Sequence, residues 1–296
     1  MNDDYLWPGV LNQRTLKTAI HCTGIGIHTG AECHVELCPA PRNTGIEFHI
    51  MKSQLCVAVI PATIEYVNPS NNMRTVLQHA GYTVATVEHL LAALAAYHID
   101  NLYIKVHGSE IPIHSGCASD WCFLIQCAGI TEQSAQKRRI VVQKTVDVWG
   151  EQGSWASLTP HHSSVYRYDI DYTHPLIGQS TFELELTTKN FLSQVAGART
   201  FGFYRDLDMI RLHGLARGVS LLNTVVFDEE RIMGSALRWP DEPARHKVCD
   251  AVGDLSLAGH QIVGKFHGHK SGHALNQLLV GKLLAHSNNW RYSNSY

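Results

Sequence analysis

Within DEPARHKVCDAVGD, residues 241–254, ionisable side chains fall at spacings that packing alone does not demand. On a helix of about 3.6 residues per turn, His246 and Asp250 stand at i and i+4, so an imidazole and a carboxylate project from one face a turn apart. That pair is a two-ligand template for a metal ion. Asp254 follows one turn on, and Lys247 sits beside His246, where its positive charge faces whatever the metal holds. The same spacing also suits an exposed helix, in which a His/Asp pair adds only about 0.2–0.5 kcal/mol. A metal reading therefore needs a third ligand from elsewhere in the chain.

His89 is the best candidate for that ligand. It follows Glu88 at the start of VEHLLAALAA, a run whose apolar residues Val87, Leu90, Leu91, Leu94 and Ala95 recur at helical spacing, so its ring is rigidly aimed from a buried first turn. A histidine there is also compatible with a satisfied core residue, and the ionisable neighbour tips the balance. Two His and one Asp leave a fourth position on zinc open, the arrangement of catalytic rather than Cys-rich structural sites. A carboxylate next to a ligand is the usual base in metallohydrolases, and Glu88 fits that role. In KSGH, His273 opens the last helix after Gly272, which suits a second acid–base group, and Asp254 is suited to orient it and keep it cationic.

Several elements must position these groups. Strands are expected from Gln13, in ECHVELCPAP (Glu32 to Pro41) and in Ile46 to Ile50, with TGIGIHTG (Thr23 to Gly30) as a turn that lacks the dinucleotide-binding glycine spacing. A polar turn covers Asn68 to Asn72, and Thr86 is the expected N-cap of the first helix. A strand LYIKV and a second helix from Ser119 to Ala128 follow. TEQSAQKRR, residues 131–139, has no periodicity and reads as a linker. The second half restarts with alternating strands, then a helix at TTKNFLSQVAGA and a strand at Leu221 to Asp228. A helix of about 15 residues opens at DEPARHK, followed by a strand at HQIVGKFHG and a last helix from Ser271 to about His286. The halves share one order of elements, which points to a duplicated α+β unit.

At 296 residues the chain is long enough for two such units. Its 24 Lys and Arg against 26 Asp and Glu give a formal charge of −2, which offers no footprint for nucleic acid or anionic lipid. Eight cysteines without a CxxC pair are expected to be reduced, mostly buried thiols. The N-terminal residues MNDDYLWPGV lack a basic flank and an apolar run, and no stretch approaches the roughly 20 apolar residues of a membrane span. A cytoplasmic, monomeric protein is expected.

Five motifs, TVEHL (Thr86 to Leu90), EIPI (Glu110 to Ile113), ARTFGF (Ala198 to Phe203), HKVCDAVGDL (His246 to Leu255) and KSGHALN (Lys270 to Asn276), closely resemble the bacterial UDP-3-O-acyl-N-acetylglucosamine deacetylases. So do QRTLK at Gln13, TGIGIHTG at Thr23 and PAPRNTGI at Pro39, and the likeness runs in order from Gln13 to about Leu284. The resemblance implies a zinc amidohydrolase that removes acetate from the 2-amino group of a UDP-linked, 3-O-acylated glucosamine, the committed step toward lipid A and lipopolysaccharide. It implies two similar α+β domains, each a mainly antiparallel sheet packed with helices, with the active site between them. By position, His89, His246 and Asp250 match the metal ligands, for which iron is also suited. Glu88 matches the general base, His273 the assisting acid and Asp254 its partner. Thr200 matches the hydroxyl that steadies the oxyanion, Lys247 a polar contact, and Phe201 and Gly272 substrate-lining residues.

These expectations divide the chain into an extension over residues 1–12, a first domain over 13–130, the linker 131–139, a second domain over 140–286 and a tail over 287–296. An insert at about 204–226 would carry an acyl passage, with Leu207, Ile210, Leu215 and Ala216 as lining candidates that equally suit plain core. The chain departs from the family pattern at His114-Ser115, where an acidic residue is usual before Gly116, at Pro243 and Ala244, and at Val219 in place of glycine. The alternatives are a same-fold deacetylase with another acyl-amide substrate and a catalytically idle sugar-nucleotide-binding paralogue.

Overall fold

Alternating apolar residues and glycine-marked turns build two sheets of the same connectivity. The computed structural model describes residues 11–69 and 73–293. In the first half, Ile20–Ile25, Glu32–Pro39, Leu102–His107, Ile46–Lys52 and Leu55–Pro61 lie side by side in that order. Only the pair Leu102–His107 with Ile46–Lys52 is parallel. In the second half, Val146–Trp149, Trp155–Thr159, Gln261–His269, Ser164–Asp171 and Gln179–Glu185 repeat the order. Among these five the one parallel pair is again Gln261–His269 with Ser164–Asp171. In each half a helix lies between the two parallel strands in sequence, as a parallel crossover requires. This is the mixed α+β architecture of mainly antiparallel sheets, in two similar halves, that the sequence leads one to expect.

Six α-helices lie among the described residues: α1 (Glu88–Ala96), α2 (Ser119–Ala128), α3 (Thr188–Gln194), α4 (Leu207–Leu212), α5 (Glu242–Ser256) and α6 (His273–Leu284). Helix α1 is made of strong helix formers, and every residue except Ala95 is buried. Helix α5 carries Pro243 in its first turn, where the missing N–H costs nothing. These two helices, one from each half, pack on each other more extensively than any other pair. A Cβ at Gly253 would come within 2.1 Å of the Glu88 carbonyl oxygen, so glycine is what lets α5 approach α1 at the level of the catalytic candidates.

Four expectations about local structure are corrected. Thr86 does not cap α1: Val87 holds the N-cap position without a side-chain cap, while Thr86, at φ 58°, donates its hydroxyl to Glu110 Oε1 at 2.7 Å. The segment 131–139 is not loose chain, because Ile130–Gln136 is a strand paired antiparallel with Asn12–Leu16. Its polar side chains gave no periodic signal because a two-stranded ribbon is held by its backbone ladder and leaves many of them to solvent. Within 287–296, Trp290–Tyr292 adds a strand to Arg139–Val142. Of Leu221 to Asp228, only Val225–Phe227 is strand. Of the expected extension, residues 1–10 lie outside the described residues and Asn12 already begins a strand; Ser70 to Asn72 of the polar turn and residues 294–296 also lie outside. No helix among the described residues is long and apolar enough to cross a membrane.

Candidate metal centre and acid–base site

The first turn of α1 and the middle of α5 bring His89, His246 and Asp250 together. All three are buried, and one potential ligand atom from each lies within 4.8 Å of the others. His89 Nε2 and His246 Nε2 stand 3.5 and 3.3 Å from the same atom, Asp250 Oδ1. A tetrahedral zinc with bonds of about 2.0–2.1 Å has ligand–ligand edges of about 3.3 Å, so this donor set fits such an ion. His246 Nδ1 donates to the Ala198 carbonyl at 2.9 Å, which leaves the Nε2 lone pair for coordination. Burial lowers the His246 pKa to about 4 against the pull of Asp250, so the ring is neutral, as a ligand must be. Burial alone would raise the Asp250 carboxyl, but His246, Lys247 and His89 hold it well below the usual range. Lys247 Nζ donates to the other oxygen, Asp250 Oδ2, at 2.8 Å, so its charge serves the ligand carboxylate as well as facing the cavity.

Glu88 lies next to this group. Its Oε2 accepts from the Thr75 backbone N–H at 3.1 Å, and its Oε1 is 3.9 Å from His273 Nε2. Burial raises the Glu88 pKa, against the opposing pull of His273 and His89. His273 Nδ1 bonds Asp254 Oδ2 at 2.9 Å. Burial works against the charged ring, but Asp254 first and Glu88 after it raise the His273 pKa to about 9. A buried carboxyl and a carboxylate-held imidazolium facing one another have the chemistry of an acid–base couple.

Thr200, Phe201 and Gly272 line the same cavity of about 300 Å³ as Glu88, His89, His246, Asp250, Lys247 and His273. The loop bearing Thr200 is pinned twice. Its N–H donates to the Gly116 carbonyl at 2.8 Å, and the neighbouring Arg199 makes a two-pronged buried pair with Glu242 at the start of α5, at 2.8 and 3.0 Å. The parallel strands Phe201–Phe203 and Val225–Phe227 flank the insert that begins at Tyr204. Leu207, Ile210, Ala216 and Val219 also line the cavity, whereas Leu215 does not.

The departure at His114-Ser115 has a local counterpart. Asp120, from the first turn of α2, supplies the carboxylate that the His114-Ser115 departure was expected to remove: its Oδ2 accepts from the Ser115 hydroxyl and from the Ser115 N–H at 3.3 Å. Glu110 of EIPI gathers the Thr29, Thr86 and His28 donors at 2.6–3.0 Å and so ties the TGIGIHTG turn to the entry of α1. Sequence reasoning missed Thr75, Gln277, Arg199 and Glu242. Arg199 lies in a motif already singled out and Glu242 opens the helix of interest, but nothing around Thr75 in NNMRTVLQ signals its role.

The chain is also similar to known proteins. The LpxC family model, described as UDP-3-O-acyl N-acetylglycosamine deacetylase, matches residues 13–285. A UDP-3-O-acyl-N-acetylglucosamine deacetylase of Thioalkalivibrio sulfidiphilus is 44% identical over 284 residues, covering 95% of this chain and 92% of the relative. Proteins of the same name from Chromohalobacter salexigens and Chromobacterium violaceum are 42% and 39% identical, each covering 95% of this chain and 93% of the relative.

Proposed function

The chain belongs to the UDP-3-O-acyl N-acetylglycosamine deacetylase family, and from this premise we propose how its site carries out the reaction. The protein hydrolyses the N-acetyl amide of UDP-3-O-acyl-N-acetylglucosamine in lipid A biosynthesis, so that water and the amide give acetate and the 2-amino sugar. We infer that His89, His246 and Asp250 hold a zinc ion; the two-nitrogen, one-oxygen set also accepts iron. Bound there, the ion supplies Lewis acidity to the amide carbonyl and to a water molecule.

The chain's own groups do the rest. Glu88 Oε1 removes the proton of the attacking water, and the raised pKa that burial gives it makes it a stronger base than an exposed carboxylate. The Thr200 hydroxyl donates toward the oxygen that gains charge as the carbonyl becomes tetrahedral. His273, kept cationic by Asp254, gives its Nε2 proton to the leaving nitrogen, which departs as an amine rather than an amide anion. Lys247 holds Asp250 and faces the polar part of the substrate, Phe201 and Gly272 line its path, and the apolar wall at Leu207, Ile210, Ala216 and Val219 takes the 3-O-acyl chain.

What carries this reading is a single juxtaposition: Glu88 and His273, 3.9 Å apart, share one cavity with the His89–His246–Asp250 group and with an apolar wall. We take residues 13–130 and 140–286 as the two domains, with the site between them. Every group named comes from one chain, so a monomer holds a complete site. All eight cysteines are unpaired, which accords with a reducing cytoplasm. The test is acetate release from UDP-3-O-acyl-N-acetylglucosamine over a series of acyl lengths, before and after chelation and after return of zinc. Loss on chelation and recovery with zinc are expected; turnover indifferent to chelation at zero metal content would refute the metal assignment.

A further inference from the structure

Thr75 is fully buried and touches both halves of the acid–base couple. Its backbone N–H donates to Glu88 Oε2 at 3.1 Å, and its carbonyl accepts from the Thr86 N–H at 2.9 Å. Its hydroxyl donates to Asp254 Oδ1 at 2.5 Å and accepts from Gln277 Nε2 at 3.0 Å. The proton assignment follows from chemistry: an ionised carboxylate only accepts, and the amide NH₂ only donates, so the single hydroxyl proton belongs to Asp254. The consequence is a division of labour within each carboxylate. Glu88 has Oε2 held by Thr75 and Oε1 left toward His273. Asp254 has Oδ1 held by Thr75 and Oδ2 left for His273 Nδ1 and Asn276.

We propose that Thr75 is a positioning residue for the deacetylation, fixing the rotamers of Glu88 and Asp254 so that base and acid face one another at the cavity. The inference rests on the roles given above to Glu88, His273 and Asp254. Thr75 meets the substrate through neither its hydroxyl nor its N–H, because both are spent on these carboxylates; it acts through them. Gln277 supports it by occupying an acceptor site of the hydroxyl and so fixing its rotation.

The variants Thr75→Val and Thr75→Ser separate this role from simple packing. Valine keeps the shape and the backbone N–H but leaves Asp254 Oδ1 without its donor, whereas serine keeps the hydroxyl. For Thr75→Val, kcat should fall about tenfold to a hundredfold, a share of the roughly 10²–10⁴ that acid–base catalysis contributes. KM and metal content should stay as in the parent, and Thr75→Ser should recover kcat to within about threefold of the parent, within the context-dependence of a single retained hydrogen bond. Because the effect runs through Asp254, Thr75→Val should cost far less in an Asp254→Asn background. The proposal is overturned if Thr75→Val retains parental kcat, if Thr75→Ser is as impaired as Thr75→Val, or if the losses with Asp254→Asn simply multiply. Should Thr75→Val fail to fold, Gln277→Leu leaves Thr75 in place and must still lower kcat at constant KM, and an unchanged kcat there overturns the proposal. Failure of the functional reading itself looks different: the parent protein would release no acetate.

Discussion

The two halves of this chain share one sheet connectivity but use their central helices differently. Helix α1 is buried nearly all round and confines its chemistry to Glu88 and His89 in the first turn, whereas α5 bears His246, Lys247, Asp250 and Asp254 along its length. Corresponding last helices diverge in the same way: α6 begins with His273, while α2 begins with Ser119 and contributes Asp120 to the support of a loop. The same sheet connectivity is thus present twice, and the candidate catalytic groups are divided between the halves rather than repeated in each. The close α1–α5 contact at Gly253 is what turns two incomplete sets into one.

If the division is as described, damage to α5 should be the most severe. His246→Ala removes a ligand from the helix that supplies two of three, and it should abolish bound metal and, with it, nearly all acetate release; stoichiometric zinc in that variant, measured by elemental analysis, would contradict the assignment. Damage to the first turn of α1 should be chemically different. Glu88→Gln should keep the metal yet lower kcat by about 10²–10⁴-fold, the usual contribution of a general base. Full turnover in that variant would remove α1 from the chemistry beyond its ligand.

A third measurement probes the α6 contribution. His273 must be protonated to act as the acid, and its pKa is raised to about 9, so kcat should be sustained from the pH at which Glu88 ionises up to that value and fall about tenfold per pH unit above it. Asp254→Asn takes away the carboxylate that opposes burial, so the descending limb should move to lower pH; a limb that stays in place would detach His273 from Asp254. The smallest effect is expected at the seam. Gly253→Ala introduces a Cβ against the Glu88 carbonyl and should destabilise the fold by about 1–3 kcal/mol, as overpacking does. It should also weaken zinc binding by pushing His89 away from α5. Thermal melting and a zinc titration read the two effects, and a melting temperature equal to the parent's would mean that the helices do not need this approach.

Much of α5 was legible beforehand for a simple reason: ligands on one helix obey the helix's own period, so His246 and Asp250 announce themselves at i and i+4. Strands and five of the six helices were legible where apolar residues alternate or recur every three to four positions, as in Ser164–Asp171 and α1. Ile130–Gln136 and Trp290–Tyr292 were not, because their place in the fold comes from backbone pairing with distant partners, Asn12–Leu16 and Arg139–Val142. Thr86 misled for a related reason. A threonine before a helix has a cap as its local option, but Glu110 was waiting 24 positions away with a buried carboxylate to satisfy.

By itself, the sequence determined the α+β class, the His246 and Asp250 pair on one face of α5 and, through its ordered motifs, the family with its deacetylation of an acylated UDP-sugar. Tertiary structure alone decided how Thr75 apportions the oxygens of Glu88 and Asp254, how Asp120 compensates for Ser115, and how Arg199 and Glu242 tie the Thr200 loop to α5. Those choices are made between residues far apart in the chain, by the need of each buried charge and hydrogen-bonding group to find a partner, and no local spacing encodes such a need.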